Sequence, residues 1–176
     1  MKKRTCKIMI LGDSAVGKTS ILKQYVNKVF TGQYKVTIGS DFLTKDLIVE
    51  NEKLKLQIWD TAGQEKYISL GLAYYRGADA CMFVYDVTDK NSLVNLESWI
   101  ERFFSQVPDQ IKDTFPMVIA GNKCDKTDRS ITEAMAEKWC RAHGNLKHFE
   151  VSAKTRQGID EAFEYLGKIL CGKNER

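Results

Sequence analysis

The run Gly12-Asp13-Ser14-Ala15-Val16-Gly17-Lys18-Thr19 follows without a break on the apolar stretch Cys6–Leu11. This is G-x-x-x-x-G-K-[ST] in its required setting, after a strand and ahead of a helix. Such a loop turns its backbone N–H groups inward around phosphate oxygens, and the helix N-terminus adds partial positive charge. Ser14, Ala15, Val16 and Gly17 supply the cradle, Lys18 neutralises the β- and γ-phosphates, and the Thr19 hydroxyl binds Mg²⁺, with Ser20 next along the helix. The competing reading is a Gly-rich turn that happens to hold a lysine. A dinucleotide fingerprint is excluded, because G-x-G-x-x-G is absent.

Around this loop the chain alternates short apolar runs with helical periods. Strands are expected at Cys6–Leu11, Asp41–Val49, Lys53–Asp60, Ala80–Tyr85, Met117–Asn122 and Lys147–Ser152. Leu93, Leu96, Ile100, Phe103 and Phe104 recur at helical spacing, as do Ile159, Ala162, Phe163, Leu166 and Leu170. Helices also fit Lys18–Asn27, a short segment before Arg76, and Thr132–Ala142. The second and third strands are joined only by the polar loop Glu50-Asn51-Glu52 and read as a hairpin. The others are separated by helix-length crossovers, which demand parallel pairing. The expectation is a three-layer α/β fold: a six-stranded, mostly parallel sheet with one antiparallel strand, flanked by five helices. Nothing divides residues 1–176, so a single domain is expected.

Composition narrows the function classes. The longest unbroken apolar run is Ala80–Tyr85, far short of the roughly 20 residues a membrane-spanning helix needs. No apolar signal stretch follows the basic start Met1–Lys7, so secretion by that route is not expected. The net charge is only +4 and its signs are interspersed, which argues against a nucleic-acid binder. The cysteines Cys6, Cys81, Cys124, Cys140 and Cys171 are odd in number and scattered, forming neither a disulfide framework nor a zinc site.

Two further motifs bear on the nucleotide. Asn122-Lys123-Cys124-Asp125 sits where the Met117–Asn122 strand ends, the sheet edge at which α/β ligands bind. The Asp125 carboxylate can accept two hydrogen bonds from guanine, whereas adenine offers no such donor pair. Buried polar groups left unpaired by a wrong base discriminate by roughly 10⁴–10⁵. Asn122 would tie this loop to the phosphate loop and the Lys123 stem would cover the base. Alone the motif is also an ordinary polar turn. Ser152-Ala153-Lys154 after the next strand adds an N–H at Ala153 for the guanine carbonyl, and the two loops together favour guanine. Asp60-Thr61-Ala62-Gly63-Gln64 places a carboxylate near Mg²⁺, a glycine N–H near the γ-phosphate and a glutamine able to orient water, though it too could be a turn.

The set resembles the Ras superfamily of small GTPases, from about Lys7 to Leu170, and within it the Rab branch. Ile38–Phe42, Trp59–Glu65 and Tyr75–Ala78 are Rab-like. Gln24–Lys28, Tyr34–Thr37 with Asp41–Lys45, and Ser69–Ala73 look most like the late-endosomal and lysosomal Rab. The departures are Lys66-Tyr67 where Rabs commonly have Arg-Phe, Ser40 for a more usual apolar or small residue, and Ala15 for a frequent glycine.

The resemblance implies that Thr37 reaches Mg²⁺ and the γ-phosphate, that Phe30 lies against guanine and that Tyr34 closes over the phosphates. It implies a GTP-hydrolysing switch in vesicular traffic, catalysed through Gln64, Lys18 and Thr37, with Mg²⁺ on Thr19, Thr37 and Asp60. GTPase-activating proteins, exchange factors, GTP-dependent effectors and a lipid-extracting escort are the implied partners of a monomer. With no obvious cis arginine, unaided hydrolysis is expected on the order of 10⁻⁴–10⁻³ s⁻¹. The full-length protein would act on the cytoplasmic face of late endosomes, lysosomes or phagosomes. The chain ends Cys171–Arg176 without a prenylation signal, so a lipidated tail is expected to be missing from it.

Two rivals weigh against this reading. A P-loop ATPase or kinase would have no reason for Asn122–Asp125, and an inactive scaffold would usually have lost Gln64, Thr37 or Lys18. Strand parity adds a surface: Trp59 shares the outward face with Lys53, Lys55 and Gln57, and Phe42 lies outward on the neighbouring strand. Clustered exposed aromatics mark binding surfaces, and the Rab resemblance adds Tyr74 as the third member of an effector-binding group.

Overall fold

Strand β1 (Arg4–Leu11) is fully buried from Ile8 to Leu11 on both of its faces. Only a central strand with cover above and below can bury both parities. In the computed structural model, which describes residues 4–33, 35–38, 40–61 and 73–172 (Ser40 by its backbone alone), β1 pairs parallel with β3 (Glu52–Thr61) on one side and β4 (Ala80–Asp86) on the other. Strand β2 (Ser40–Val49) pairs antiparallel with β3, while β5 (Met117–Asn122) and β6 (Lys147–Glu150) extend the parallel sheet beyond β4. The order is β2-β3-β1-β4-β5-β6, the six-stranded sheet with one antiparallel strand that the sequence predicts.

Side-chain alternation splits the core in two. Ile8, Ile10, Leu54, Leu56 and Ile58 meet α1 (Lys18–Asn27) and α5 (Ile159–Gly172), where Tyr25 stacks on Phe163 at 3.9 Å. Met9, Leu11, Cys81, Phe83 and Tyr85 meet the opposite layer, α2 (Lys90–Val94), α3 (Leu96–Phe104) and α4 (Glu133–Ala142). There Phe103, fully buried, touches Tyr75, Phe83, Phe104 and Phe115.

The helical period through Leu93 and Phe104 resolves into α2 and α3. Asn95 between them keeps right-handed helical angles, so the chain turns on with little break. Two helix starts use side-chain caps: at α2 Asp89 accepts from the Asn91 N–H at 3.0 Å, and at α4 Thr132 from the Met135 N–H at 3.2 Å. A 3₁₀ helix, Asp109–Thr114, precedes β5. Of the expected helix before Arg76, residues 73–75 are helical and what precedes them lies outside the described residues.

Strands β1 to β4 each run one or two residues past the expected ends, starting at Arg4, Ser40 and Glu52 and ending at Thr61 and Asp86, and two further differences have a local cause. The hairpin turn is Glu50-Asn51 alone, both residues at positive φ (50° and 67°), because Glu52 already pairs with Val49. Positive φ at both central residues is the type I′ geometry whose twist suits a two-residue hairpin. Strand β6 stops at Glu150 rather than Ser152: the Ser152 N–H donates to the Gln157 carbonyl within its own loop instead of to β5. Among the described residues no helix is long and apolar enough to cross a membrane.

Candidate nucleotide site at the carboxyl edge of the sheet

After β1 the chain moves first to one side of the strand and later to the other, so the loops following β1, β4, β5 and β6 gather at one edge around a switch point, beside the end of β3. The loop after β1 has little steric freedom. A Cβ on Gly12 (φ +146°) would lie 2.2 Å from the Val84 carbonyl oxygen, and one on Gly17 (φ +102°) 2.2 Å from Asn122 Nδ2. Helix α1 opens on Gly17 with no side-chain cap and no acidic residue in its first turn. Its first N–H groups and the positive end of its dipole are therefore presented to an anion. They face a cavity of about 280 Å³ lined by Ser14, Ala15, Gly17, Lys18, Thr19 and Ser20, with Phe30, Thr37 and Lys123 also in its wall. Val16 is buried behind it.

Lys18 is 5 % exposed and donates from Nζ to the carbonyls of Gly12 (2.8 Å) and Asp13 (2.6 Å). Burial lowers its pKa to about 8, against the opposing pull of Asp60 and Asp13. Beside it Thr19 Oγ1 donates to Asp60 Oδ2 at 2.6 Å and lies 3.0 Å from Thr37 Oγ1. Burial raises the Asp60 carboxyl, while the Thr19 hydrogen bond and the Lys18 charge hold it down. Asp60 Oδ1 is buried with no hydrogen-bond partner, a costly state for a carboxylate oxygen. Two hydroxyls and one carboxylate with an orphaned oxygen are hard donors of the kind Mg²⁺ takes. The residues present fit that ion.

On the other side of the cradle Asn122, 1 % exposed, is the brace. Its Nδ2 donates to the Val16 carbonyl at 2.8 Å and its Oδ1 accepts from the Ala153 N–H at 3.1 Å, so one side chain joins the loops after β1, β5 and β6. Lys123, at φ 67°, donates from Nζ to the Ala15 carbonyl (2.9 Å) and to Asp86 Oδ2 (2.5 Å). Burial pushes the Asp86 carboxyl up, but Lys123 and Thr88 outweigh it and the net shift is down. The Ser152 hydroxyl donates to Asp125 Oδ1 at 2.5 Å, and Lys154 is exposed. Asn122, Lys123, Asp125, Ser152 and Ala153 thus meet beside the phosphate loop.

Several participants carry no motif. Asp86 holds Lys123, Gln24 Nε2 donates to the Ala153 carbonyl at 2.8 Å, and Asp13 is held by Asn95 and Trp99 of the α2–α3 segment. No local pattern pointed to them: Trp99 stands among core positions, and its N–H engagement leaves the apolar period unchanged. Three expected residues, Tyr34, Gly63 and Gln64, lie outside the described residues.

The outward aromatics also meet. The rings of Phe42 and Trp59 are 4.9 Å apart and those of Trp59 and Tyr74 5.6 Å, with Lys7 Nζ 4.6 Å above the indole. Phe42 is exposed as parity predicts, and so is Tyr74, which the Rab resemblance added; Trp59, expected outward by parity, is half-buried because they and Lys7 pack against it.

Residues 7–171 match the Ras family. The chain is 50% identical over 175 residues to Ras-related protein Rab-7a of Paramecium octaurelia, covering 99% of this chain and 85% of the relative. It is 48% identical to Ras-related protein Rab7 of Drosophila melanogaster (95% and 81% covered) and 50% to Ras-related protein RABG3f of Arabidopsis thaliana (96% and 84%). Ras-family GTPases bind GTP and GDP, typically with Mg²⁺, and work through activating proteins, exchange factors and effectors. With a strand–loop–helix phosphate cradle at a sheet switch point and this identity along nearly its whole length, the chain belongs to the Ras family as a Rab7-like small GTPase, a GTP hydrolase that regulates membrane traffic.

Proposed function

We propose that this chain forms one GTPase domain, a Mg²⁺-dependent GTP switch acting at late endosomes, lysosomes or phagosomes, and that the cradle from Ser14 to Ser20 holds its phosphates. The observation that carries the nucleotide reading is the Thr19–Asp60–Thr37 cluster beside Lys18: hydroxyls at 2.6 and 3.0 Å, a buried carboxylate whose Oδ1 has no partner among the described residues, and a cation resting on two backbone carbonyls. Thr19, Thr37 and Asp60 would hold Mg²⁺, which when bound supplies positive charge against the β- and γ-phosphate oxygens. Lys18 exchanges the Gly12 and Asp13 carbonyls for phosphate oxygens, so the ammonium stays hydrogen-bonded in both states. Asp125, with Ser152 holding one of its oxygens, reads the guanine edge, and Phe30 and Lys123 flank the base with Lys154 at the rim. The Ala153 N–H is shared between Asn122 and the base carbonyl.

Thr37 sits on the exposed segment before β2, and among the described residues its hydroxyl meets the Thr19 hydroxyl. Contact with a γ-phosphate orders that segment, and loss of the phosphate frees it. Gly63 adds an N–H to the same phosphate, Gln64 orients the attacking water and Tyr34 covers the site. The ordered form displays Phe42, Trp59 and Tyr74 to effectors. A lipidated tail beyond this chain attaches it to membranes, and an escort extracts it.

Phosphate release from GTP and ATP, each with and without Mg²⁺, tests this. Slow, Mg²⁺-dependent release from GTP alone is the expected result. Release from ATP at a comparable rate would overturn the guanine assignment.

A further inference from the structure

Asp13 stands second in the phosphate loop, where a carboxylate is a liability: like charge near bound phosphate opposes nucleotide affinity. Its side chain nevertheless does not line the cavity formed by its neighbours Ser14 and Ala15. Both of its oxygens are taken from the α2–α3 segment, Oδ1 by the Trp99 indole N–H at 2.7 Å and Oδ2 by Asn95 Nδ2 at 2.7 Å. Trp99 is 3 % exposed, fixed among Phe103 and the rest of that core layer, so its N–H points from a rigid support. The Asp13 carbonyl, for its part, accepts from Lys18 Nζ. One residue therefore links the loop's cation, through the main chain, to α3 through the side chain.

We infer that α3 sets the rate of nucleotide release by holding the Asp13 carboxylate turned out of the phosphate cradle. The inference rests on the nucleotide reading above. Trp99 and Asn95 act here as positioning residues. They partly neutralise the carboxylate, hydrogen bonds to an ionised group being about twice as strong as neutral ones, and they fix the loop segment from which Ser14 and Ala15 face the ligand. Losing either donor lets the carboxylate swing toward phosphate and quickens release.

Dissociation of fluorescently labelled GDP from the Mg²⁺-loaded protein tests this in wild type, Trp99→Phe, Asn95→Ala, Asp13→Asn and the Trp99→Phe/Asp13→Asn double variant. Trp99→Phe keeps an aromatic ring in the core but loses the N–H together with part of the indole's buried volume, and the salt and Asp13→Asn arms separate the two effects. Asn95 is exposed, so Asn95→Ala keeps the fold and serves should Trp99→Phe unfold. Release is expected about tenfold faster in Trp99→Phe, the loss of one charge-assisted hydrogen bond. The excess should shrink in 0.5 M salt, where the Debye length falls to a few ångströms. Asp13→Asn in the Trp99→Phe background should restore release to near that of Asp13→Asn alone, since no charge is left to swing in. Unchanged release in both Trp99→Phe and Asn95→Ala overturns the inference. Fast release that neither salt nor Asp13→Asn corrects also overturns it, leaving Trp99 as core packing. Wild-type protein that binds no labelled GDP would instead overturn the nucleotide reading itself, and this inference with it.

Discussion

Lys18 is kept at a cost to stability. The depressed pKa of about 8 against an ordinary 10.5 means that the folded chain binds fewer protons than the unfolded chain between those values. Without nucleotide, stability is therefore lowest below pH 8 and rises as pH climbs from 8 toward 10.5, a span of about 3 kcal/mol. Lys18→Met should melt several degrees higher than wild type at pH 7 when nucleotide-free, the gap closing near pH 10, while GDP affinity collapses. A lower melting temperature at pH 7 would show that the two carbonyls Lys18 satisfies matter more than its buried charge. At the base, Asp125→Asn replaces a double acceptor with a donor toward the guanine exocyclic amine, whereas xanthine presents a carbonyl there. The preference should switch from guanine to xanthine nucleotides in competition binding. A variant that still favours GTP would mean that Asp125 does not read the base.

Among the elements, the β2–β3 hairpin carries both a strained turn and a surface. Glu50 sits at φ 50° in the first position of the type I′ turn, a conformation that asparagine tolerates better than glutamate. Glu50→Asn should stabilise the protein by about 0.5 kcal/mol, seen as a raised midpoint in urea with an unchanged slope. On the flank of the same hairpin, Phe42, Trp59 and Tyr74 form a contiguous aromatic patch in which the half-buried indole is the middle member. Hot spots favour such centrally packed aromatics. Trp59→Ala should weaken binding of the GTP-loaded protein to a cognate effector fragment by about 2 kcal/mol or more, leaving GDP affinity little changed. Undiminished effector binding in a titration would reduce the patch to packing.

Across the molecule, the proposed nucleotide site and the core are one structure, since the loops of three strands converge on the buried Asn122. Asn122→Ala leaves the Val16 carbonyl and the Ala153 N–H unpaired, each loss worth about 1–3 kcal/mol. Denaturant unfolding of the nucleotide-free variant should record that loss, and GTP and GDP affinities should fall together because the brace touches no γ-phosphate contact. A selective loss of GTP would place Asn122 in the switch instead.

Local chemistry carried most of the fold's legibility. Short apolar runs marked the buried strands, alternation marked the β2–β3 hairpin, the polar Glu50-Asn51-Glu52 loop marked the antiparallel pair, and the strand–G-x-x-x-x-G-K-T–helix order marked the candidate cradle, because each depends on neighbours in the chain. The resemblance of Ile38–Phe42 and Trp59–Glu65 to Rab segments carried the family, and similarity along residues 7–171 agrees. Pairings across long sequence separation were decided by the tertiary structure alone. Trp99 is 86 residues from the Asp13 it holds, Asn122 is 31 from Ala153, and Lys123 is 37 from Asp86. No periodicity records such partners: a helical Trp in an apolar stripe looks like core whether or not its N–H is engaged, and only packing brings the carboxylate to it.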